Sequence, residues 1–332
     1  MYKNNPFIVA EISANHLGNY QYAYDLIYAA KKAGADAVKF QCYTPEEMAP
    51  RGLIIEGGPW DGRSYESLYA EAQTPDWWLS DLFDHAEELG LVAFASPFSP
   101  SGVQFLENLH CPIYKIASPE IVYGDLIQAA AKTGKPLIIS TGMASISEIH
   151  SAYAYAVAAG ASDITFLHCI SAYPAHNEDF NMRTLRMMVD MGFKVGLSDH
   201  SLDNTAAVMA VALGATVIEK HLCFRRALGG PDAAFSLEIP EFAAMVKAVR
   251  AAAAALGNVQ YGCREAEQSS YQYRRSLWIV RDMKAGQVIT KDDVAVLRPN
   301  HGIAPNQLSA ILGRKVKAKV AANTPVSMEL FK

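Results

Sequence analysis

Between residues 7 and 256 the sequence alternates, eight times over, between a short apolar run and a longer helical pattern. The runs fall at 7–12, 37–41, 92–96, 113–116, 137–141, 164–168, 194–198 and 217–221. Four to six residues rich in Val, Ile and Phe, bounded by polar turn residues, read as strands buried on both faces. Such burial needs helices on the outside of the sheet, and the intervening stretches supply them. Glycine stands just past several of these stretches, as at Gly34, Gly160 and Gly257, where a chain leaving a helix commonly turns left-handed. Eight such units in about 250 residues predict an α/β fold, a (β/α)8 TIM barrel. The rival, a doubly wound open sheet, would carry G-x-G-x-x-G after its first strand, and ISANHLG stands there instead.

At 332 residues the chain outgrows one core, so a second, smaller domain is expected. The character changes after Gly257: a polar stretch leads into short strands and frequent turns, such as Lys284-Ala285-Gly286 and Ala322-Asn323-Thr324-Pro325. The expected division is a barrel over residues 1–258, a linker over 259–273 and a small β-rich domain over 274–332. Composition narrows the function classes. A net charge of −5 without a basic run argues against nucleic-acid binding. Five dispersed cysteines with no C-x-x-C pair argue against a disulfide frame or a zinc knuckle. The most apolar helical stretch, 242–256, is interrupted by Lys247 and Arg250, so no membrane span is expected. The N-terminal residues run straight into a strand without a signal-peptide core, which makes a soluble cytoplasmic protein the expectation.

In a barrel the strand C-termini carry the chemistry. Here they carry Glu11, Asn15 and His16; Lys39 and Gln41; Ser96; Lys115 and Ser118; Thr141; His168, Ser171 and Tyr173; Ser198 and His200; Glu219 and His221. Two stretches, GLSDH (196–200) and IEKH (218–221), flank an alanine-rich helix and each end in a histidine near a carboxylate. Neighbouring parallel strands would bring both histidines to one rim, where two imidazoles and an open position suit a divalent metal. A lone strand-end histidine usually just bonds nearby backbone; the matched pair is what points to a metal. The GGPD turn (229–232) adds Asp232 at the same rim. Lys39 and Lys115 follow apolar runs, and a buried ammonium is costly without an anion. Either they pair with Glu11 or Glu120, or they clamp the phosphate and carboxylate of a substrate alongside the hydroxyls of Ser96, Ser118 and Ser198. A Schiff-base lysine is a further option. The connection 42–74 far exceeds the usual two to six residues and reads as a lid or binding loop, with Trp60, Tyr65, Tyr69 and, as its polar candidate, Arg63. Arg298 sits on a turn, RPNHG, in the small domain.

These residues carry a resemblance. AEIxxNHxG (10–18), VKFQ (38–41), SPF (96–98), YKIAS (114–118), GKPLIISTGM (134–143), LHCxxxYP (167–174), GLSDH, IEKH and GGPD resemble the sialic acid synthase family across essentially the whole chain. The C-terminal segment resembles that family's antifreeze-like (SAF, β-clip) domain. WxGRx(4)LYxEAxTP (60–75), FSLE (235–238) and RRSL (274–277) look most like its pseudaminic acid branch, with the N-acetylneuraminate and legionaminic acid branches as the alternative. Ser171 departs from the asparagine typical of N-acetylneuraminate synthases.

The resemblance implies a metal-dependent condensation of phosphoenolpyruvate with 2,4-diacetamido-2,4,6-trideoxy-L-altrose, giving a nine-carbon acid and phosphate. It implies Mn²⁺, or else Mg²⁺ or Co²⁺, on His200 and His221. Lys39, Ser96, Lys115, Ser118, Ser171 and Ser198 map to phosphoenolpyruvate, and Gln41, Arg63, Tyr173 and Phe235 to the sugar. Glu11 is the candidate for the aldehyde proton, and Glu219 or Asp232 for the attacking water. Arg298 would come from the partner in a domain-swapped homodimer. Two rivals from other classes stand beside it: a metallohydrolase using His200, His221 and Asp232, which would not need the lysine clamp, and a non-catalytic binding protein built on the small domain.

Overall fold

A computed structural model describes residues 5–332. Eight strands, β1 (Phe7–Glu11), β2 (Ala37–Cys42), β3 (Val92–Pro97), β4 (Tyr114–Ile116), β5 (Leu137–Ser140), β6 (Ile164–Cys169), β7 (Lys194–Asp199) and β8 (Val217–Cys223), pair in sequence order. Every pairing is parallel, and β1 also pairs with β8, so the sheet closes into a barrel. That closure excludes the open doubly wound sheet. A two-residue strand, β9 (Leu237–Glu238), adds to the upper end of β8.

The helices begin and end where local chemistry dictates. Tyr20–Ala33 starts two residues before the apolar stripe suggests, because Asn19 Oδ1 accepts from Gln21 N (2.9 Å) and Tyr22 N (3.3 Å). Ile146–Ala158 opens with a capping box between Ser145 and Glu148. Their buried faces meet the outside of the barrel in one continuous core, from Ile8 and Val38 through Phe166 and Leu197 to Phe242 and Val249. Packing at β7 is tight enough to demand glycine: a Cβ on Gly196 would lie 2.5 Å from Val217 O and 2.6 Å from Leu167 Cδ2. The β7 and β8 backbones approach closely for this reason.

The long connection after β2 is not featureless. It holds a turn of helix at Pro45–Met48, an antiparallel bridge between Ile54 and Ser64, and the helix Tyr65–Ala72, capped by Ser64 Oγ. Residues to Gly257 form one compact unit and residues from Asn258 another. In the second, β10 (Ser276–Ile279) lies between β11 (Val294–Leu297) and β12 (Thr324–Pro325), all antiparallel. This unit has its own core of Leu277, Ile279, Met283, Ile289, Ile311, Val316, Val320, Val326 and Phe331. Among the described residues no helix is long and apolar enough to cross a membrane.

Candidate active site

Side chains alternate along a strand, so each barrel strand sends every second residue inward. In β1, β2 and β8 the inward set includes Glu11, Lys39 and Glu219, which meet in the barrel with Ser96, Lys115 and Ser198. Lys39 Nζ contacts Glu11 Oε2 directly, donates to Ser96 Oγ at 3.2 Å and lies 3.7 Å from Glu219 Oε1. Lys115 Nζ is 3.6 Å from the same Glu219 oxygen, and Ser198 Oγ donates to it at 3.2 Å. All six are buried. The cluster therefore holds two ammonium groups, two carboxyls and few partners to spare. Glu11 Oε1 and Glu219 Oε2 are buried without a hydrogen bond.

Burial pushes the Glu11 carboxyl up to about 7, with Lys39 opposing and Glu219 reinforcing the rise. For Glu219, burial is outweighed by the ammoniums of Lys115 and Lys39, which hold its carboxylate below the ordinary range. Burial lowers Lys115, whereas Lys39, also subject to burial, is lifted overall by Glu11 and Glu219. A site arranged like this presents a lysine pair to an anion, with a carboxyl beside it that can carry a proton at neutral pH.

One rung higher stand the histidines. The rings of His200 and His221 are 5.4 Å apart, centroid to centroid. His200 Nδ1 faces Ile170 O at 3.0 Å, a bond that uses the Nδ1 proton and leaves Nε2 as a lone-pair donor. Cys169 Sγ is a weaker contact of the same nitrogen at 3.9 Å. His221 Nδ1 is buried with no hydrogen-bond partner and lies 3.8 Å from Asp232 Oδ2. Burial first, then the cations around it, drive His221 well below its ordinary value, so it is a neutral imidazole. A neutral, unpartnered imidazole beside a second one held by a backbone carbonyl fits a divalent ion. No cluster of three or more His, Cys, Asp or Glu positioned as ligands occurs among the described residues, so water and substrate would complete the shell. Burial also lifts Asp232, whose Oδ2 accepts from Ala14 N at 3.1 Å and so ties the GGPD turn to the loop after β1.

Above the imidazoles opens a cavity of about 640 Å³. Its wall includes Gln41, Tyr43, Trp60, Tyr69, Glu120, Ser171, Tyr173, His221, Asp232 and Phe235. Phe235 packs edge-on to His221 at 5.1 Å and Tyr173 lies 4.5 Å from His200, so two aromatic rings brace the imidazole pair. Trp60 closes one side: its Nε1 donates to Pro231 O at 2.9 Å and its ring lies 5.6 Å from Tyr173.

The comparisons with known proteins agree with this layout. The NeuB family model matches residues 26–261 and the SAF domain model matches residues 274–332. The chain belongs to the NeuB family. It is 40% identical to the pseudaminic acid synthase of Helicobacter pylori over 98% of this chain and 97% of that one. It is 34% identical to the N,N'-diacetyllegionaminic acid synthase of Legionella pneumophila over 97% and 94%. The crystal structure of N-acetylneuraminic acid synthetase from Leptospira borgpetersenii superposes with a TM-score of 0.73 at 32% identity, over 82% of this chain and 92% of that one.

In this NeuB-family chain the structure gathers Glu11, Lys39, Ser96, Lys115, Ser198 and Glu219 at one level, and His200, His221, Asp232, Tyr173 and Phe235 above them. Ser118 and Ser171 converge over Gly142: Gly142 N donates to Ser118 Oγ at 3.1 Å, and a Cβ on Gly142 would strike Ser171 Oγ at 2.2 Å. Ser171 Oγ is buried and unpartnered, a donor available to a ligand. Arg63 is placed otherwise. It donates to Glu71 Oε2 at 2.5 Å, and it is absent from the cavity wall. Arg298 lies in the second unit, just past β11.

Sequence reasoning passed over Glu120 except as a lysine partner. Burial pushes its carboxyl up to about 7, and its Oε2 is shielded without a partner in the cavity wall. The signal was its position two residues past Ser118, still on the strand-end rim.

Proposed function

We propose that this chain is a pseudaminic acid synthase, condensing phosphoenolpyruvate with 2,4-diacetamido-2,4,6-trideoxy-L-altrose and releasing phosphate. One observation carries the reading: a buried two-lysine clamp lies one rung beneath an imidazole pair, of which His221 lines the cavity, in a chain whose 40%-identical full-length relative is a pseudaminic acid synthase. A metallohydrolase would have no use for that clamp, and a binding module built on the small domain would have no use for either level.

Lys39 and Lys115 take the phosphate and carboxylate of phosphoenolpyruvate, with Ser96, Ser118, Ser171 and Ser198 as neutral donors around them. The incoming anion replaces Glu11 and Glu219 as counter-charge. The C–C bond forms between the enol carbon and the sugar aldehyde carbon; water adds at the carbon bearing the phosphate ester, and phosphate leaves by C–O cleavage. Glu11, with a carboxyl near 7, supplies the proton to the former aldehyde oxygen, and Glu120 is a second group with the same capacity. Glu219 or Asp232 takes the proton of the attacking water. His200 and His221 hold the divalent ion, Mn²⁺ foremost, which supplies Lewis-acid polarisation of the aldehyde when bound.

Gln41 and Tyr173 face the sugar's polar groups. Trp60 and Phe235 offer apolar surface to its methyl groups, which a mannosamine would replace in part with hydroxyl. We further propose that the enzyme works in the cytoplasm as a domain-swapped homodimer, Arg298 of one chain serving the other, and that its product goes to a surface polysaccharide or a glycosylated flagellin.

Phosphate release from phosphoenolpyruvate with Mn²⁺ tests the reading, comparing the diacetamido-trideoxy-altrose with N-acetylmannosamine and the legionaminic acid precursor. Turnover confined to the first is the expected result. Turnover confined to either of the others would move the chain to that branch and remove the aromatic wall's assigned purpose.

A further inference from the structure

While β8 sends Glu219 and His221 into the barrel, it sends Lys220 outward, where the ammonium is wholly buried. Its Nζ donates to Asp199 Oδ2 at 2.6 Å, to Ser201 Oγ at 3.0 Å and to Asp203 O at 2.9 Å. Asp199 is also wholly buried, and its other oxygen accepts from Ser201 N at 2.8 Å. Asp199 and Lys220 face each other across the β7–β8 ladder. The next residue along each strand is His200 or His221. One ammonium thus sits a single residue from one imidazole and is bonded to both chain neighbours of the other. Through Asp203, whose Oδ1 accepts from Thr205 N at 2.7 Å, it also reaches the start of the helix Thr205–Leu213.

A buried charge pair adds little to stability relative to a well-packed apolar pair of similar size. Fold stability alone therefore gives weak reason for a lysine here. The geometry points to Lys220, through Asp199 and Ser201, as a positioning residue that sets the spacing of the His200–His221 pair. Its side chain is no part of the cavity wall. It clamps the two strand ends at the point where β7 turns into its loop, so that both rings hold their places while the cavity side of the site is rearranged by ligands. Outer partners of this kind commonly tune metal affinity by 10- to 100-fold. The inference rests on the metal-binding reading given above, and the test separates the two.

The test uses the full-length protein as wild type, as K220M, and as D199L/K220M, which removes both charges and leaves no lone buried carboxylate. Mn²⁺ affinity is measured by isothermal titration calorimetry, melting temperature by circular dichroism, and the His200–His221 ring separation by crystal structures of metal-free protein. K220M should bind Mn²⁺ about 10- to 100-fold more weakly and melt lower. D199L/K220M should regain much of the melting temperature but not the affinity, with the ring separation moved by about 1 Å from 5.4 Å. If the double variant regains both, or if the rings stay where they are, Lys220 is a packing residue only. Should K220M not fold, the double variant decides. Should wild type bind no Mn²⁺, the metal reading falls, and the ring separation alone decides the clamp.

Discussion

Replacing Glu120 by glutamine should make the protein more stable at alkaline pH while damaging its activity. In the folded chain burial raises this carboxyl from 4.5 to about 7, against the weaker pull of its own backbone N–H and of Lys115. Between these values the unfolded chain has released the proton and the folded chain has kept it. Stability therefore falls as pH rises from about 4.5 through about 7 and stays low above. A shift of roughly 2.5 units at about 1.4 kcal/mol each gives about 3.5 kcal/mol, and partial exposure to the cavity trims this to about 2 kcal/mol. Glutamine keeps the shape and carries no charge, so this loss is absent from E120Q. Urea unfolding followed by tryptophan fluorescence, to which Trp60, Trp77 and Trp78 contribute from the barrel unit and Trp278 from the second, reads the difference. E120Q and wild type should have similar midpoints near pH 5, and E120Q should be higher near pH 8.5. Its kcat/KM should fall by about 10²-fold or more if the carboxyl moves a proton. Equal midpoints at both pH values would mean that Glu120 ionises as a solvated carboxylate, and both its raised pKa and its role as a neutral-pH acid would be withdrawn.

Three more outcomes follow from the geometry. K115M removes one of the two cations 3.6–3.7 Å from Glu219 and should weaken phosphoenolpyruvate binding about 10- to 100-fold by calorimetry, leaving Mn²⁺ affinity unchanged; undiminished binding would remove Lys115 from the clamp. G142A places a methyl group 2.2 Å from Ser171 Oγ and 2.8 Å from Ser118 Oγ, so the KM for phosphoenolpyruvate should rise with a stability cost of about 1–3 kcal/mol. An unchanged KM there would mean that neither hydroxyl holds the anion. W60F deletes the 2.9 Å bond to Pro231 O, worth about 1 kcal/mol; proteolysis within residues 42–74 should quicken and the sugar KM rise, while phosphoenolpyruvate affinity stays put.

How legible this protein is in its sequence depends on whether a feature is local or relational. The barrel is legible because parallel strands covered on both faces must be apolar throughout, and eight such runs leave few other arrangements. The matched histidines are legible for the same reason, since each stands at the end of an apolar run. Helix starts shift by a residue or two because a cap such as Asn19 belongs to the polar flank rather than the apolar stripe. The helix Tyr65–Ala72 escapes notice because YESLYAEA buries only Leu68 and Ala72, too thin a stripe to stand out. Arg63 reads as a substrate grip until Glu71, at the far end of that helix, is seen to occupy it. Among known proteins, the 40% match to a pseudaminic acid synthase beside 34% to a legionaminic acid synthase agrees with the branch that the WxGRx(4)LY segment suggested.

What the letters cannot display is which face a charge occupies. IEKH presents three polar residues in a row, and only the strand period sorts them. Glu219 and His221 turn inward, one to the lysine clamp and one to the cavity; Lys220 turns outward to Asp199. Shifting the β7–β8 register by one residue would set Lys220 opposite Ser198 or His200 and leave Asp199 buried without its cation, at a cost of several kcal/mol. The outward pair therefore selects the one register in which the two histidines stand side by side. An ion pair outside the cavity wall is thus part of what sets the candidate site.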